Sequence, residues 1–427
     1  MTQPSMVNAY TQGAGNLSPL DQARIARRAH LLGPAYRLFY ETPVHLVRGE
    51  GVWLYDAEGH AYLDCYNNVA SLGHCHPDVT AATARQSALY ASHTRYLNDT
   101  VLDYAERLLA TFPPELSHLM FTCTGSEAND LALRIAIAHT GGSGVNVTEN
   151  AYHGVTLATA ALSPSLGAGV ALGPHIRTVP APTDSATFAA AVQAAINDLT
   201  RHGIKPAALL VDTIFSSDGV FADPPGFLQS AAAAIRAAGG LFIADEVQAG
   251  FARTGSHMWG FQRHGLIPDL VSLGKPMGNG YPVAGLVIRP EVIAAFAASA
   301  RYFNTFGGNA VAAATALAVL EVIEREALQA NAAKVGDYFR DGLLALAKAH
   351  DSLGPLRGAG LFLGQDIVTD GQPDPARAAR VVNALRQNRI LISATGPLGH
   401  TLKIRPPLVF SQAHVDQVLD GLSRALA

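Results

Sequence analysis

The 427 residues predict two or three domains at roughly 150 residues each. Thirty basic against 34 acidic side chains give a net charge of −4, which withholds the broad cationic surface that nucleic acid or an anionic membrane would require. Hydrophobic residues at 49% and charged residues at 15% exclude a disordered chain and predict a large core, with apolar surface left over for an oligomer. Cys65, Cys75 and Cys123 are too few for a disulfide framework and fit a reducing compartment. Residues 1–28 lack the apolar run of a secretory leader. The apolar stretch at 310–323, interrupted by Glu321, falls short of the roughly 20 residues that cross a bilayer. The expectation is a cytoplasmic protein with no membrane partner.

In chain order, residues 52–64 read as a hairpin turned by Glu58-Gly59. Seven short β-branched runs follow, at 118–123, 144–149, 175–179, 207–215, 241–247, 270–274 and 284–288. Several are apolar throughout, as parallel strands covered on both faces should be. Alanine-rich helical stretches lie between them, at 126–139, 187–200 and 226–239. After Gly308 a long helix leads to further strands at 360–368, 390–395 and 401–408. This alternation predicts an α/β fold with a mostly parallel seven-stranded sheet. The division expected is a segment over 1–60 that joins a small domain, a large domain over 61–308 that holds the chemistry, and a connecting helix with the small domain over 309–427.

Three features of the large domain point to chemistry. Thr124-Gly125-Ser126 joins a strand to a helix, where free N–H groups and the positive end of the dipole suit a phosphate; Ser126 reads as the helix cap. Asp245 and Glu246 end an apolar strand, where ligands gather in open α/β sheets. Taken alone, most such turns are ordinary capped helices, and the acidic pair is explained equally well by a structural salt bridge. Lys275 follows another apolar strand in a loop with Gly274, Gly278 and Gly280, and partial burial there would supply a neutral amine. Together they are the parts that pyridoxal 5′-phosphate requires: a phosphate cradle, an anion for the pyridine nitrogen and a lysine for the aldehyde.

From about Val47 onward the chain resembles the class III (subgroup II) aminotransferases, pyridoxal-phosphate enzymes of fold type I. The motifs that carry the resemblance are TGSEANDLALRIA, AYHG, FIADEVQAGFARTG, SLGKPMGNGYPVAG, NTFGGNAVAAA and LKIRPPLVF. The resemblance implies that Gly125 and Ser126 bind the cofactor phosphate, that Tyr152 of Tyr152-His153-Gly154 stacks on the ring, and that Val247 packs on the ring's other face. It further implies that Asp245 pairs with the ring nitrogen, Gln248 touches the ring hydroxyl and Lys275 bonds the aldehyde. Thr305 would reach the phosphate of a neighbouring subunit, hence a homodimer with shared active sites. Asn67 and Asn68 would line the substrate pocket.

Within the family, YLDCYNNVASLGHCHPDV, SHTRYLNDTVLDYAERL and ILISATGPLGHTLKIRPP are similar to the phospholyase subgroup, which includes ethanolamine-phosphate phospholyases. One departure from the transaminases bears on this. Where they carry a glutamate that pairs with the substrate-carboxylate arginine, matched here by Arg405, this chain has Ser217, with Asp218 next to it. An arginine without that partner suits a permanent substrate phosphate through bidentate bonds. The reading is therefore elimination of phosphate from an aminoalkyl phosphate such as O-phosphoethanolamine, with amino transfer from an amine or amino acid to a keto acid as the alternative.

Other classes fit less well. Gly73-His74-Cys75-His76 crowds its side chains too closely for one ion and has no second cluster, so no metal is expected. Gly358-Ala359-Gly360 leads into a strand, whereas a dinucleotide fingerprint follows one and opens a helix. Retention of Lys275 and Asp245 argues against a non-catalytic relative.

Overall fold

The computed structural model describes residues 6–427. Near the N-terminus, β1 (Leu46–Glu50), β2 (Trp53–Asp56) and β3 (Ala61–Asp64) form an antiparallel meander. Its second turn places Gly59 at φ +85°, a left-handed position that glycine adopts without a steric penalty. The Asp56 carboxylate closes that turn by accepting from the N–H groups of Glu58 and His60 at 3.1 and 2.8 Å.

The seven apolar runs then form one sheet. They are β4 (His118–Thr122), β5 (Gly144–Thr148), β6 (Ile176–Val179), β7 (Pro206–Asp212), β8 (Leu241–Asp245), β9 (Leu270–Leu273) and β10 (Ala284–Ile288). Their spatial order is β4-β10-β9-β8-β7-β5-β6. The pairs from β6 through β9 are parallel, while β10 runs against both its neighbours. Side chains alternate between the faces. Ala208, Leu210, Ile243 and Leu270 pack on one side with Leu131 and Ile135 of the helix Gly125–Thr140. Leu209, Val211, Phe242 and Val271 pack on the other with Phe188 and Phe227. Both faces are covered, which is why these strands read as continuous apolar runs. The helix expected over 226–239 is shorter, Gln229–Ala237.

The C-terminal part contains β11 (Leu353–Ala359), β12 (Phe362–Thr369), β13 (Gln372–Pro373), β14 (Ile390–Leu391), β15 (Ser393–Thr395) and β16 (Thr401–Ile404). Four of them make an antiparallel sheet in the order β11-β12-β16-β15, with β13 paired to β12. β14 instead joins the N-terminal meander, pairing parallel to β3 through Ile390↔Leu63 and Leu391↔Asp64. Just beyond β16, the Arg405 N–H donates to the Cys65 carbonyl at 3.0 Å, so the two chain ends are tied where they approach the large sheet. The helix Ala310–Arg325, capped by Asn309, buries residues on nearly its whole circumference. Among the described residues no helix is long and apolar enough to cross a membrane.

Candidate active site

The C-terminal ends of β4, β7, β8 and β9 open into one cavity of about 190 Å³, lined by Thr124, Gly125, Ser126, Asn129, Tyr152, His153, Gly154, Asp212, Asp245, Val247, Gln248 and Lys275. The cap expected at Ser126 is Thr124 instead, because the helix already begins at Gly125. The Thr124 hydroxyl accepts from the Glu127 N–H at 3.2 Å, and the Glu127 carboxylate reaches back to the Cys123 N–H at 2.7 Å. Ser126 thereby turns its hydroxyl toward the next loop, accepting from the Val155 N–H at 3.2 Å. A Cβ added at Gly125 would lie 2.7 Å from Val247 Cγ2, and one added at Gly154, where φ is +142°, would lie 2.6 Å from Ser126 Oγ. Bare backbone therefore lines this end of the cavity.

Asp245 sits opposite, buried and fully hydrogen-bonded. Its Oδ2 accepts from Asn129 Nδ2 at 2.9 Å and faces His153 Nδ1 at 2.8 Å, while Oδ1 accepts from the Val247 N–H at 3.1 Å. Asn129 also donates to the His153 carbonyl at 2.9 Å, so it ties the carboxylate and the histidine loop together. Among the described residues His153 Nε2 is buried without a partner. Burial and the neighbouring Asp245 raise the Tyr152 phenol and the Asp212 carboxyl alike.

Lys275 stands at the end of β9, and it lines a second cavity as well, of about 380 Å³. That second space is mainly apolar, walled by Phe39, Tyr40, Val44, Leu54, Tyr66 and Leu391, and it includes Asn67, Asn68 and Arg405. Burial, and then the positive charge of Arg405, lower the Lys275 amine to about 8. A neutral, nucleophilic amine is thus accessible near neutral pH.

Arg405 is buried beneath this cavity. Its Nε donates to the Tyr66 carbonyl at 2.8 Å, its Nη1 donates to Gln248 Oε1, and its guanidinium lies over the Tyr66 ring at 4.3 Å. Among the described residues no carboxylate pairs with it. Asp218 faces elsewhere, accepting from Thr148 Oγ1 at 2.8 Å and from the Asn150 N–H at 3.2 Å, and burial raises it to about 6. Ser217 uses its carbonyl to accept from Asn150 and Gly396. Gln248 lines the first cavity, but its amide bridges Arg405 and the Ser216 hydroxyl. Asn68 donates to the Gln248 carbonyl at 3.0 Å, and Asn67 Oδ1 accepts from the Val69 N–H at 3.1 Å.

Other singled-out residues lie apart. Thr305 is exposed on the loop before the long helix and lines neither cavity. Glu246, raised by burial to about 7, faces away from the site and accepts from Thr213 Oγ1 and from the N–H groups of Gly260 and Phe261. His74 meets Asp64 at 2.7 Å, while His76 caps the helix Pro77–Leu89. Sequence reasoning did not single out Asn129, Asp212 or Tyr66 for the site. Only the position of Asn129 one turn into a helix whose N-terminus faces the ligand space pointed there.

The residues fit pyridoxal 5′-phosphate on structural grounds. Helix N–H groups and side-chain-free glycines suit the phosphate, Val247 offers an apolar wall, Asp245 a buried anion, and Lys275 an amine of lowered basicity.

Comparison with known proteins agrees with this geometry. The family model for class-III aminotransferases matches residues 39–426. An alanine–glyoxylate aminotransferase 2-like protein of Drosophila melanogaster is 39% identical over 426 residues, covering 94% of this chain and 86% of the relative. The ethanolamine-phosphate phospho-lyase homolog 1 of Caenorhabditis elegans is 35% identical over 433 residues, covering 94% and 92%. Among solved structures, a phospholyase from Arthrobacter in complex with phosphoethanolamine superposes with a TM-score of 0.92 at 43% identity, covering 94% of this chain and 99% of that one.

Proposed function

Because the chain belongs to the class-III aminotransferase family, whose members depend on pyridoxal 5′-phosphate, we propose that it eliminates phosphate from an aminoalkyl phosphate such as O-phosphoethanolamine, yielding acetaldehyde, ammonia and phosphate. The observation that carries this reading is Arg405, a buried guanidinium without a carboxylate partner among the described residues, lining the same cavity as Lys275.

In this reading Gly125 and Ser126 hold the cofactor's phosphate, with Thr305 of a second copy beside them. Tyr152, His153 and Val247 would bind its ring, Gln248 its hydroxyl, and Asp245 would keep a proton on the ring nitrogen. When bound, the cofactor supplies an electron sink for charge left on the carbon that bears the substrate's amine. Lys275, the amine that lines both cavities, would remove the proton from that carbon. Arg405 holds the phosphate so that the neighbouring C–O bond can break, the phosphate leaving with the bonding electrons. Asn67 and Asn68 form the polar edge of the pocket. The released enamine takes up water and gives the aldehyde and ammonia. The exposed apolar side chains Tyr96, Leu97, Phe303 and Phe306 support a homodimer with shared sites, and three free cysteines suit a reducing cytoplasm.

The Drosophila melanogaster relative and the largely apolar second cavity favour the alternative, amino transfer to a keto acid. One experiment separates the two. Cofactor-loaded protein is given O-phosphoethanolamine without any keto acid, and phosphate and acetaldehyde are measured. Equal amounts of both are expected. Efficient transfer from alanine to a keto acid, with no phosphate released, would overturn the lyase reading.

A further inference from the structure

We propose that the site has a third compartment, which accepts an uncharged substituent on the carbon that bears the substrate's amine; the inference rests on the lyase reading above.

A cavity of about 740 Å³ adjoins the two already described, walled in part by Asn150, Ser217, Ala379, Thr395 and Leu398. Tyr66 lines both this cavity and the apolar one that holds Arg405, while Tyr152 lines both this cavity and the polar one. The polar and apolar cavities in turn share Lys275. Each pair of spaces thus has one residue in common, and the three adjoin around Lys275, Tyr66 and Tyr152. The wall is tied down by backbone groups. The Gly396 N–H donates to the Ser217 carbonyl at 3.2 Å, and Thr395 Oγ1 donates to the Ser216 carbonyl at 2.8 Å.

The carbon that bears the amine in an aminoalkyl phosphate has three other bonds: to the phosphate-bearing arm, to the proton that is removed, and to one further substituent. With the amine at Lys275 and the phosphate at Arg405, the third space is left for that substituent. In O-phosphoethanolamine it is only a hydrogen. Among the described residues no charged side chain lines this cavity. The charge held behind its wall is the buried Asp218, whose Oδ1 accepts from the Asn150 N–H at 3.2 Å. A carboxylate entering here would lose its water without gaining a cation, and would approach an acid. An alkyl group would instead bury its surface against Ala379 and Leu398, and a hydroxyl would find Ser217 and Thr395. The substrate class is therefore the 2-aminoalkyl phosphates with a neutral chain on the amine-bearing carbon, not O-phosphoserine. Their reaction balances as for O-phosphoethanolamine. The proton leaves that carbon, the neighbouring C–O bond breaks with its electrons going to phosphate, and one water converts the released enamine to a methyl ketone and ammonia.

The test measures phosphate release by wild-type holoenzyme from O-phosphoethanolamine, 2-aminobutyl phosphate and O-phosphoserine, and repeats it with Ala379→Phe, which fills the third cavity and touches neither of the others. In the wild type, kcat/KM for 2-aminobutyl phosphate should lie within about tenfold of that for O-phosphoethanolamine, and that for O-phosphoserine roughly 100-fold or more below it. Ala379→Phe should lower kcat/KM for 2-aminobutyl phosphate about tenfold or more, leave O-phosphoethanolamine within about twofold, and keep the cofactor's absorbance. If Ala379→Phe does not hold cofactor, Ser217→Leu is judged by the same criterion. Cleavage of O-phosphoserine as fast as O-phosphoethanolamine, rejection of 2-aminobutyl phosphate by the wild type, or an equal loss for all substrates in the variant would overturn the third compartment alone. Wild-type enzyme that releases no phosphate from O-phosphoethanolamine would refute the lyase reading and this inference with it.

Discussion

Arg405→Ala is the perturbation with the largest expected effect on substrate handling. A guanidinium has five N–H donors. Here one goes to the Tyr66 carbonyl and one to the Gln248 amide oxygen, which leaves three for a ligand. A phosphate taking two of these through the fork gains about 1.5–3 kcal/mol from each charge-assisted bond. Losing both costs about 3–6 kcal/mol, or roughly 10²- to 10⁴-fold in kcat/KM at about 1.4 kcal/mol per decade. Cofactor absorbance should persist, because Arg405 does not line the smaller cavity. Arg405→Lys should recover part of the rate, since a point charge attracts phosphate but lacks the fork. Removing the charge also relieves Lys275, whose amine Arg405 holds down, so the pH profile should move upward. The assay is phosphate release from O-phosphoethanolamine across pH 6–10. Release by Arg405→Ala within threefold of wild type would refute the reasoning.

Asp245→Asn leaves the Asn129 and Val247 donors facing a neutral amide. Turnover should fall by roughly 10² or more while cofactor stays bound, and steady-state rates within tenfold of wild type would remove Asp245 from its role. The lowered Lys275 amine gives a signed pH dependence. Its neutral form appears as pH rises through about 8, so cofactor uptake by stripped protein should accelerate about tenfold between pH 7 and 9, whereas a flat rate would contradict the assignment. Gly154→Ala meets both a left-handed φ and the Ser126 side chain, with an expected stability cost of about 1–3 kcal/mol and weaker cofactor retention, measured by thermal melting with and without cofactor. Under the proposed homodimer, Phe306→Asp places a charge on the exposed loop that carries Thr305 and should yield monomers with depressed activity in sedimentation and rate assays; a variant that sediments like the wild type would refute an interface at this loop.

The large sheet was legible because β5, β8, β9 and β10 are buried on both faces and leave uninterrupted apolar runs. β11 was not, since its sequence LGPLRGA contains a proline and two glycines, is partly exposed, and pairs with β12 across a register shift between Leu353 and Leu356. Backbone pairing of that kind leaves no side-chain pattern. In the site, Asp245 and Lys275 stood out because a charge that ends an apolar strand is conspicuous. Asn129 did not, since an asparagine near a helix start is ordinary, and its contact with Asp245 spans 116 positions. Gln248 lines the smaller cavity, but the bonds of its amide to Arg405, 157 positions away, and to Ser216 leave no trace in a motif.

The two cavities have one lining residue in common, Lys275. Every other side chain that shapes the polar space is absent from the apolar one, and only Asn68 and Arg405 reach across, through Gln248, so drift in the remaining apolar wall need not disturb what the first wall grips. A lineage built this way can swap the molecules it accepts while its reactive amine and that amine's surroundings stay untouched. Amino-group carriers and phosphate eliminators on one scaffold are what such modularity would produce. Directed evolution toward new amines should accordingly concentrate on Phe39, Val44, Leu54 and Tyr66, leaving the glycine-lined pole alone.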